Sequence, residues 1–186
     1  SMAGLTYVLS GIAWAAGTSF QLAAFKKMGV SQASGLNTAG QIAVNALVGA
    51  AVFGEWTGAH QWTIGLLAIA SVIIGVFLIS GKPSNLNKDG VRLTAISVFA
   101  YMIYFMIPKT VAILDLVHVN TGTLHNTMAL SLPIAIGQTI GALVFGIIIF
   151  NGGNLSLPLL TKETAKNGIA GVMWGTGEVM IRLAVL

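Results

Sequence analysis

The sequence predicts an all-α membrane protein, a polytopic transmembrane helix bundle of about six spans, and three observations predict it. Of 186 residues, 55% are hydrophobic and only 8% charged, whereas a soluble domain carries roughly a quarter charged residues to solvate its surface. Apolar runs of bilayer length, about 20 residues for a core about 30 Å thick, recur along the chain. The polar interruptions between them are short and gather the cations unevenly. The absence of cysteine excludes a disulfide framework, a thiolate metal site and a cysteine nucleophile. A net charge of +4 is too small and too scattered for a nucleic-acid footprint, so no nucleic-acid partner is expected.

The spans follow from where apolar runs begin and end. The first covers residues 4–25 and is no signal peptide, being too long, without a basic leader and followed by further spans. The second covers 32–54 and the third 60–80, on either side of a turn carrying Trp56 and Trp62, which read as interface belt residues. The fourth covers 91–107, after a polar stretch with Lys82, Pro83, Lys88 and Asp89, and stops before Pro108. The fifth covers 126–150, where Pro133 removes a backbone donor and kinks the helix. The sixth covers about 168–186.

If the spans alternate through the bilayer, the connections after the first, third and fifth share one side. Lys26, Lys27, Lys82, Lys88, Arg92, Lys162 and Lys166 fall there, and Lys109 on the other. Seven cations against one place those three connections in the cytoplasm. The competing reading is that a preceding segment dictates orientation and these charges follow it.

An internal repeat is visible. Gly11-x-x-Trp14-x-x-Gly17 in the first span recurs as Gly171-x-x-Trp174-x-x-Gly177 in the sixth, where shuffling this composition would yield roughly 0.06 copies. Five spans separate the copies, so they cross the membrane in opposite senses. That is an inverted-topology repeat, from which many secondary transporters build a midplane site. Residues 1–81 then read as the last three helices of one five-helix unit, 82–90 as a polar cytoplasmic linker, and 91–186 as the first three helices of the next. An internal fragment of a ten-helix carrier is expected, unable to transport by itself.

These motifs, with Phe25-Lys26, Gly29-Val30-Ser31, Thr38, Gln41, Gly54-Glu55-Trp56, Leu132-Pro133, Ala135-Ile136-Gly137 and Gly141-Ala142, resemble the glucose/ribose porter family of bacterial sugar permeases. That family lies within the drug/metabolite transporter superfamily. The resemblance covers nearly the whole chain and implies a ten-helix carrier in the bacterial cytoplasmic membrane. Thr18 and Glu178 stand where a carboxamide would follow each motif. The resemblance therefore does not carry over the identity of the sugar.

Polar groups at membrane depth are costly unless they meet a partner or a wet cavity, so they mark candidate sites. Asn37, Gln41 and Asn45 recur every fourth residue of the second span, with Ser34 and Thr38 beside them. Such a stripe suits a hydroxyl-rich ligand; its alternative is interhelical bonding that only packs the bundle. Trp14 and Trp174 offer flat faces to a pyranose, or fill space beside small residues. Tyr101 and Tyr104 read as aromatic core. Gln138 is the amide of the fifth span able to meet substrate, while Gly137 and Gly141 form a G-x-x-x-G face for close helix contact. The substrate-binding candidates are therefore Trp14, Asn37, Thr38, Gln41, Gln138 and Trp174. Glu178 and Arg182, four apart in the sixth span, are the candidates for proton or sodium coupling, or a structural bridge.

Asp115, His118 and His125 fit no zinc spacing, so neither metal nor cofactor is expected. No nucleophile triad, carboxylate pair or phosphate-binding loop is present, and the chain does not read as an enzyme. The expectation is uptake of a monosaccharide, glucose- or ribose-like, by ion-coupled alternating access. Its partners would be a small-molecule sugar, membrane lipid, a coupling ion and a second copy of the chain. The alternatives are a drug/metabolite exporter of the same superfamily, with a more aromatic and less amide-rich cavity, and a non-transporting membrane scaffold subunit.

Overall fold

A computed structural model describes residues 2–80, 87–113 and 124–150. They form five α-helices: α1 Met2–Met28, α2 Val30–Val52, α3 Ala59–Ser80, α4 Lys88–Ile113 and α5 Leu124–Phe150. No strand occurs among the described residues. Four helices are long and apolar enough to cross a membrane, over Gly4–Met28, Ala59–Val76, Lys88–Val111 and Ser131–Phe150. Helix α2 is of similar length, at 23 residues; its amides and hydroxyls lower its hydropathy. The expected sixth span lies outside the described residues.

Helix boundaries follow local chemistry. One residue separates α1 from α2: Gly29, at φ +82°, a conformation that side-chain-bearing residues rarely adopt. A longer connection around Lys26 and Lys27 was expected, but α1 runs to Met28 with both lysines in its last turn, where they complement the helix dipole. Helix α2 ends at Val52; Gly54, at φ +66°, turns the chain just beyond it, and the Glu55 N–H reaches back to the Gly49 carbonyl at 3.2 Å. At the start of α3 the Gln61 Oε1 accepts from Thr57 N and Gly58 N at 2.7 and 3.3 Å.

Helix α4 is longer than expected at both ends. Asn87 caps it, its Oδ1 accepting from Asp89 N at 2.9 Å and Gly90 N at 3.1 Å, so it begins at Lys88 rather than Val91. It continues through Pro108 to Ile113, where a stop at Ile107 was expected. Proline is better tolerated in membrane helices because neighbouring groups re-satisfy the freed carbonyl. Pro133 likewise lies within α5.

The chain divides into two compact units, Ser1–Ile12 with Ile107–Leu186, and Ala13–Met106. In the first, backbones meet directly. A Cβ on Gly11 would overlap the Ile134 carbonyl and lie 2.8 Å from the Gln138 backbone nitrogen; one on Gly137 would overlap the Val8 carbonyl. The close-contact role expected of Gly137 is realised on α1, and Gly141 is buried with it. In the second unit α2 packs on α3, and Gly40 lets Val98 of α4 approach. Its core is small apolar residues such as Ala15, Ala24, Ala33 and Ala39, with Val98, Tyr101 and Tyr104. The two tyrosines, each 7% exposed, are core as expected.

Candidate functional site

Two clusters of polar side chains join helices of the second unit. The first joins three helices by a chain of short hydrogen bonds. Ser97 of α4 donates its hydroxyl to the Gly17 carbonyl of α1 at 2.7 Å. Asn37 of α2 donates Nδ2–H to Ser97 Oγ at 2.8 Å, and Gln41, one turn further along α2, donates Nε2–H to Asn37 Oδ1 at 2.7 Å. Asn37 and Ser97 are both fully buried. The i, i+4 spacing stacks the two amides on one face of α2, and the small Gly17 leaves its carbonyl open to a neighbouring helix.

The second cluster surrounds Tyr101. Its hydroxyl donates to Gln21 Oε1 at 3.0 Å and shares a hydrogen bond of 2.9 Å with Thr18 Oγ1, which also donates to the Trp14 carbonyl at 3.1 Å. The Thr18 hydrogen is committed to the Trp14 carbonyl, so the single Tyr101 hydrogen is shared between Thr18 Oγ1 and Gln21 Oε1. Trp14 is half-buried and meets Tyr101 edge-to-face, ring centroids 6.4 Å apart. A Cβ on Gly17 would press on the same tyrosine ring at 3.1 Å. The motif that carries Trp14 thus closes on an aromatic partner.

The remaining candidates are separate from these clusters. Thr38 is exposed, about 100° round α2 from Asn37. Asn45 is half-buried a turn beyond Gln41. In the first unit Gln138 is half-buried, and its Nε2 is enclosed without a hydrogen-bond partner. Trp174, Glu178 and Arg182 lie outside the described residues. Among the described residues no group of three metal-ligating side chains occurs.

A cavity of about 380 Å³ opens between α2, α3 and α4, lined by Leu36, Ala39, Val44, Ile73, Val98 and Phe99 among others. Thr94 also lines it, but its hydroxyl already donates to the Gly90 carbonyl at 2.9 Å. Its walls offer a sugar hydroxyl almost nothing to bond.

Sequence reasoning missed Ser97 and Gln21. A serine in a membrane helix is usually satisfied by its own helix one turn back, and nothing in the sequence distinguishes Ser97 from Ser71, which does bond back, to the Leu67 carbonyl at 2.8 Å. The signal would have been a contact between α4 and both α1 and α2, which one sequence does not carry.

A family model described as sugar transport protein matches residues 2–185. Among curated relatives, a Streptococcus agalactiae protein named provisionally for sugar uptake is 31% identical over 185 residues, covering 95% of this chain and 58% of its own length. A Lactococcus lactis protein with the same form of name is also 31% identical, with the same coverage. One from Streptococcus pyogenes is 28% identical over 187 residues. The chain thus spans 58% of the length of the relatives it matches. No solved structure matches it significantly.

Proposed function

Because the chain belongs to the sugar transport protein family, we propose that the protein containing it takes up a monosaccharide, glucose- or ribose-like, across the bacterial cytoplasmic membrane. The observation that carries this reading is hydrogen-bonding capacity on apolar helices that no described residue uses. Gln41 Oε1 has no partner among the described residues, and Gln138 Nε2 is enclosed with none. A sugar hydroxyl supplies both an acceptor and a donor and would satisfy such amides as water does. In this reading Gln41 makes the polar contact offered by α2, with Asn37 behind it and Thr38 and Asn45 extending the polar surface; Gln138 is the candidate of α5, and Trp14 and Trp174 are the candidate stacking faces.

Alternating access between a first repeat ending at residue 81 and a second beginning at 91 is the mechanism proposed, with the linker at 82–90 and the connections near residues 26–29 and 151–167 cytoplasmic. Coupling to a proton or sodium ion is assigned to Glu178 and Arg182. Substrate-dependent thermal stabilisation of the detergent-solubilised protein tests the reading. Glucose or ribose should raise the melting temperature saturably, and Gln41→Leu or Gln138→Leu should weaken that response by roughly ten-fold in apparent affinity. No response to any monosaccharide would end it.

The second reading, a drug/metabolite exporter, is favoured by the apolar cavity between α2, α3 and α4. It predicts stabilisation by apolar amphiphiles, blocked by filling the cavity with Ala39→Phe.

A further inference from the structure

The first polar cluster has a direction, and the direction decides what Gln41 can offer. The Gly17 carbonyl has only lone pairs, so the hydrogen lying between it and Ser97 Oγ, 2.7 Å away, must be the serine's own. With that hydrogen engaged, Ser97 Oγ faces Asn37 as an acceptor, and the amide group 2.8 Å from it must be NH2. The Asn37 carbonyl is then turned toward Gln41, so the Gln41 group 2.7 Å away must be NH2 as well. Each amide is oriented by the one before it, back to a backbone carbonyl that cannot turn. Reversing any member would set two hydrogen-free oxygens against each other.

We propose that Ser97 is a positioning residue that fixes the polarity of the Asn37–Gln41 pair, so that Gln41 presents its carbonyl oxygen to a hydroxyl hydrogen of the substrate. This rests on the sugar reading above. The pair then selects a hydrogen donor at one position of the sugar ring, where an acceptor alone gives no bond.

Two measurements on the full-length protein test this. The first needs no sugar. Gln41→Glu, in alkaline buffer, sets a carboxylate oxygen against Asn37 Oδ1 with no hydrogen between them and lowers the melting temperature. Adding Ser97→Ala releases Asn37 to turn its NH2 toward the carboxylate, so the double variant melts higher than Gln41→Glu alone, whereas Ser97→Thr, which keeps the hydroxyl, gives no rescue. A merely packing role for Ser97 gives further loss in the double variant, and that result overturns the proposal.

The second measurement titrates deoxy and deoxyfluoro analogues of D-glucose. At the position read by Gln41 both analogues bind roughly ten-fold more weakly than the parent, within about two-fold of each other, because fluorine accepts but cannot donate. In Ser97→Ala the deoxyfluoro analogue regains affinity relative to the deoxy one. A deoxyfluoro analogue that matches the parent at every position overturns the carbonyl assignment. Rescue of Gln41→Glu without a response to any sugar removes the sugar reading and the substrate half of the proposal, and leaves the fixed polarity of the pair standing.

Discussion

The two units of this chain hold their helices together by different means. In the unit formed by Ser1–Ile12 and Ile107–Leu186, glycines let α1 and α5 meet backbone to backbone: Gly11 lies on Ile134 and Gly137 on Val8. In the unit Ala13–Met106, α1, α2 and α4 are joined by side-chain hydrogen bonds through Ser97, Asn37 and Gln41. Both solve the same problem. Lipid tails are as apolar as leucine, so helices in a bilayer gain little from hiding apolar surface and rely on close packing or polar contacts. The difference lies in tolerance: a backbone contact has no side chain that can move aside, whereas a hydrogen-bonded cluster can lose one member and partly repair itself.

The largest effect should therefore come from the backbone contact. Gly11→Val places two methyl groups where the Ile134 carbonyl already stands, and neither backbone can retreat without separating the helices. A loss of about 3 kcal/mol or more is expected, seen as failure to recover folded protein from detergent. A variant that melts within a few degrees of the parent would show that α1 and α5 are not in contact. Next comes Asn37→Leu, which leaves Ser97 Oγ without its donor and Gln41 Nε2 without its acceptor at a fully buried position. It should cost about 1–3 kcal/mol, read from the shift of the chemical denaturation midpoint. A loss as large as that of Gly11→Val would erase the contrast between the units.

How much of this was legible in the sequence depended on whether the determinant was local. The five helices of the described residues were, because hydropathy over about 20 residues is a local sum, and so was the close-packing role of Gly137, which follows from a missing side chain on a helix face. The polar stripe Asn37, Gln41 was legible as a stripe, since residues four apart share a face. Its partner was not, because Ser97 lies 60 residues from Asn37 and looks like any serine that bonds its own helix. The ends of α4 differ from the sequence expectation for two local reasons. Asn87 reads as part of a polar linker by composition but acts as an N-cap, and Pro108 reads as a stop by its missing N–H but lies within a membrane helix, which can carry proline.

A smaller effect separates cooperative from independent bonds within the Asn37 cluster. A double-mutant cycle with Asn37→Ala and Ser97→Ala should give a coupling of about 0.6 kcal/mol, the average for interhelical hydrogen bonds in membranes, and no more than about 1.7 kcal/mol. Additive losses would mean that the 2.8 Å contact contributes nothing beyond what each residue gives separately.

The smallest effect belongs to α3, which uses neither device on its exposed face. Leu67 is 63% exposed and Ile69, two residues on, only 8%. Truncating Leu67 to alanine removes a side chain that is mostly exposed, and lipid chains can fill the space, so the change should stay within about 0.5 kcal/mol. Ile69→Ala opens a space among packed side chains and should cost clearly more. The two thermal shifts, measured side by side, also bear on what surrounds this unit in the full-length protein. The chain spans 58% of the length of its relatives, and a helix from the remainder could cover α3. If Leu67→Ala costs as much as Ile69→Ala, that face of α3 is packed against protein, and a third contact of the hydrophobic kind has to be added to the glycine and hydrogen-bonded ones.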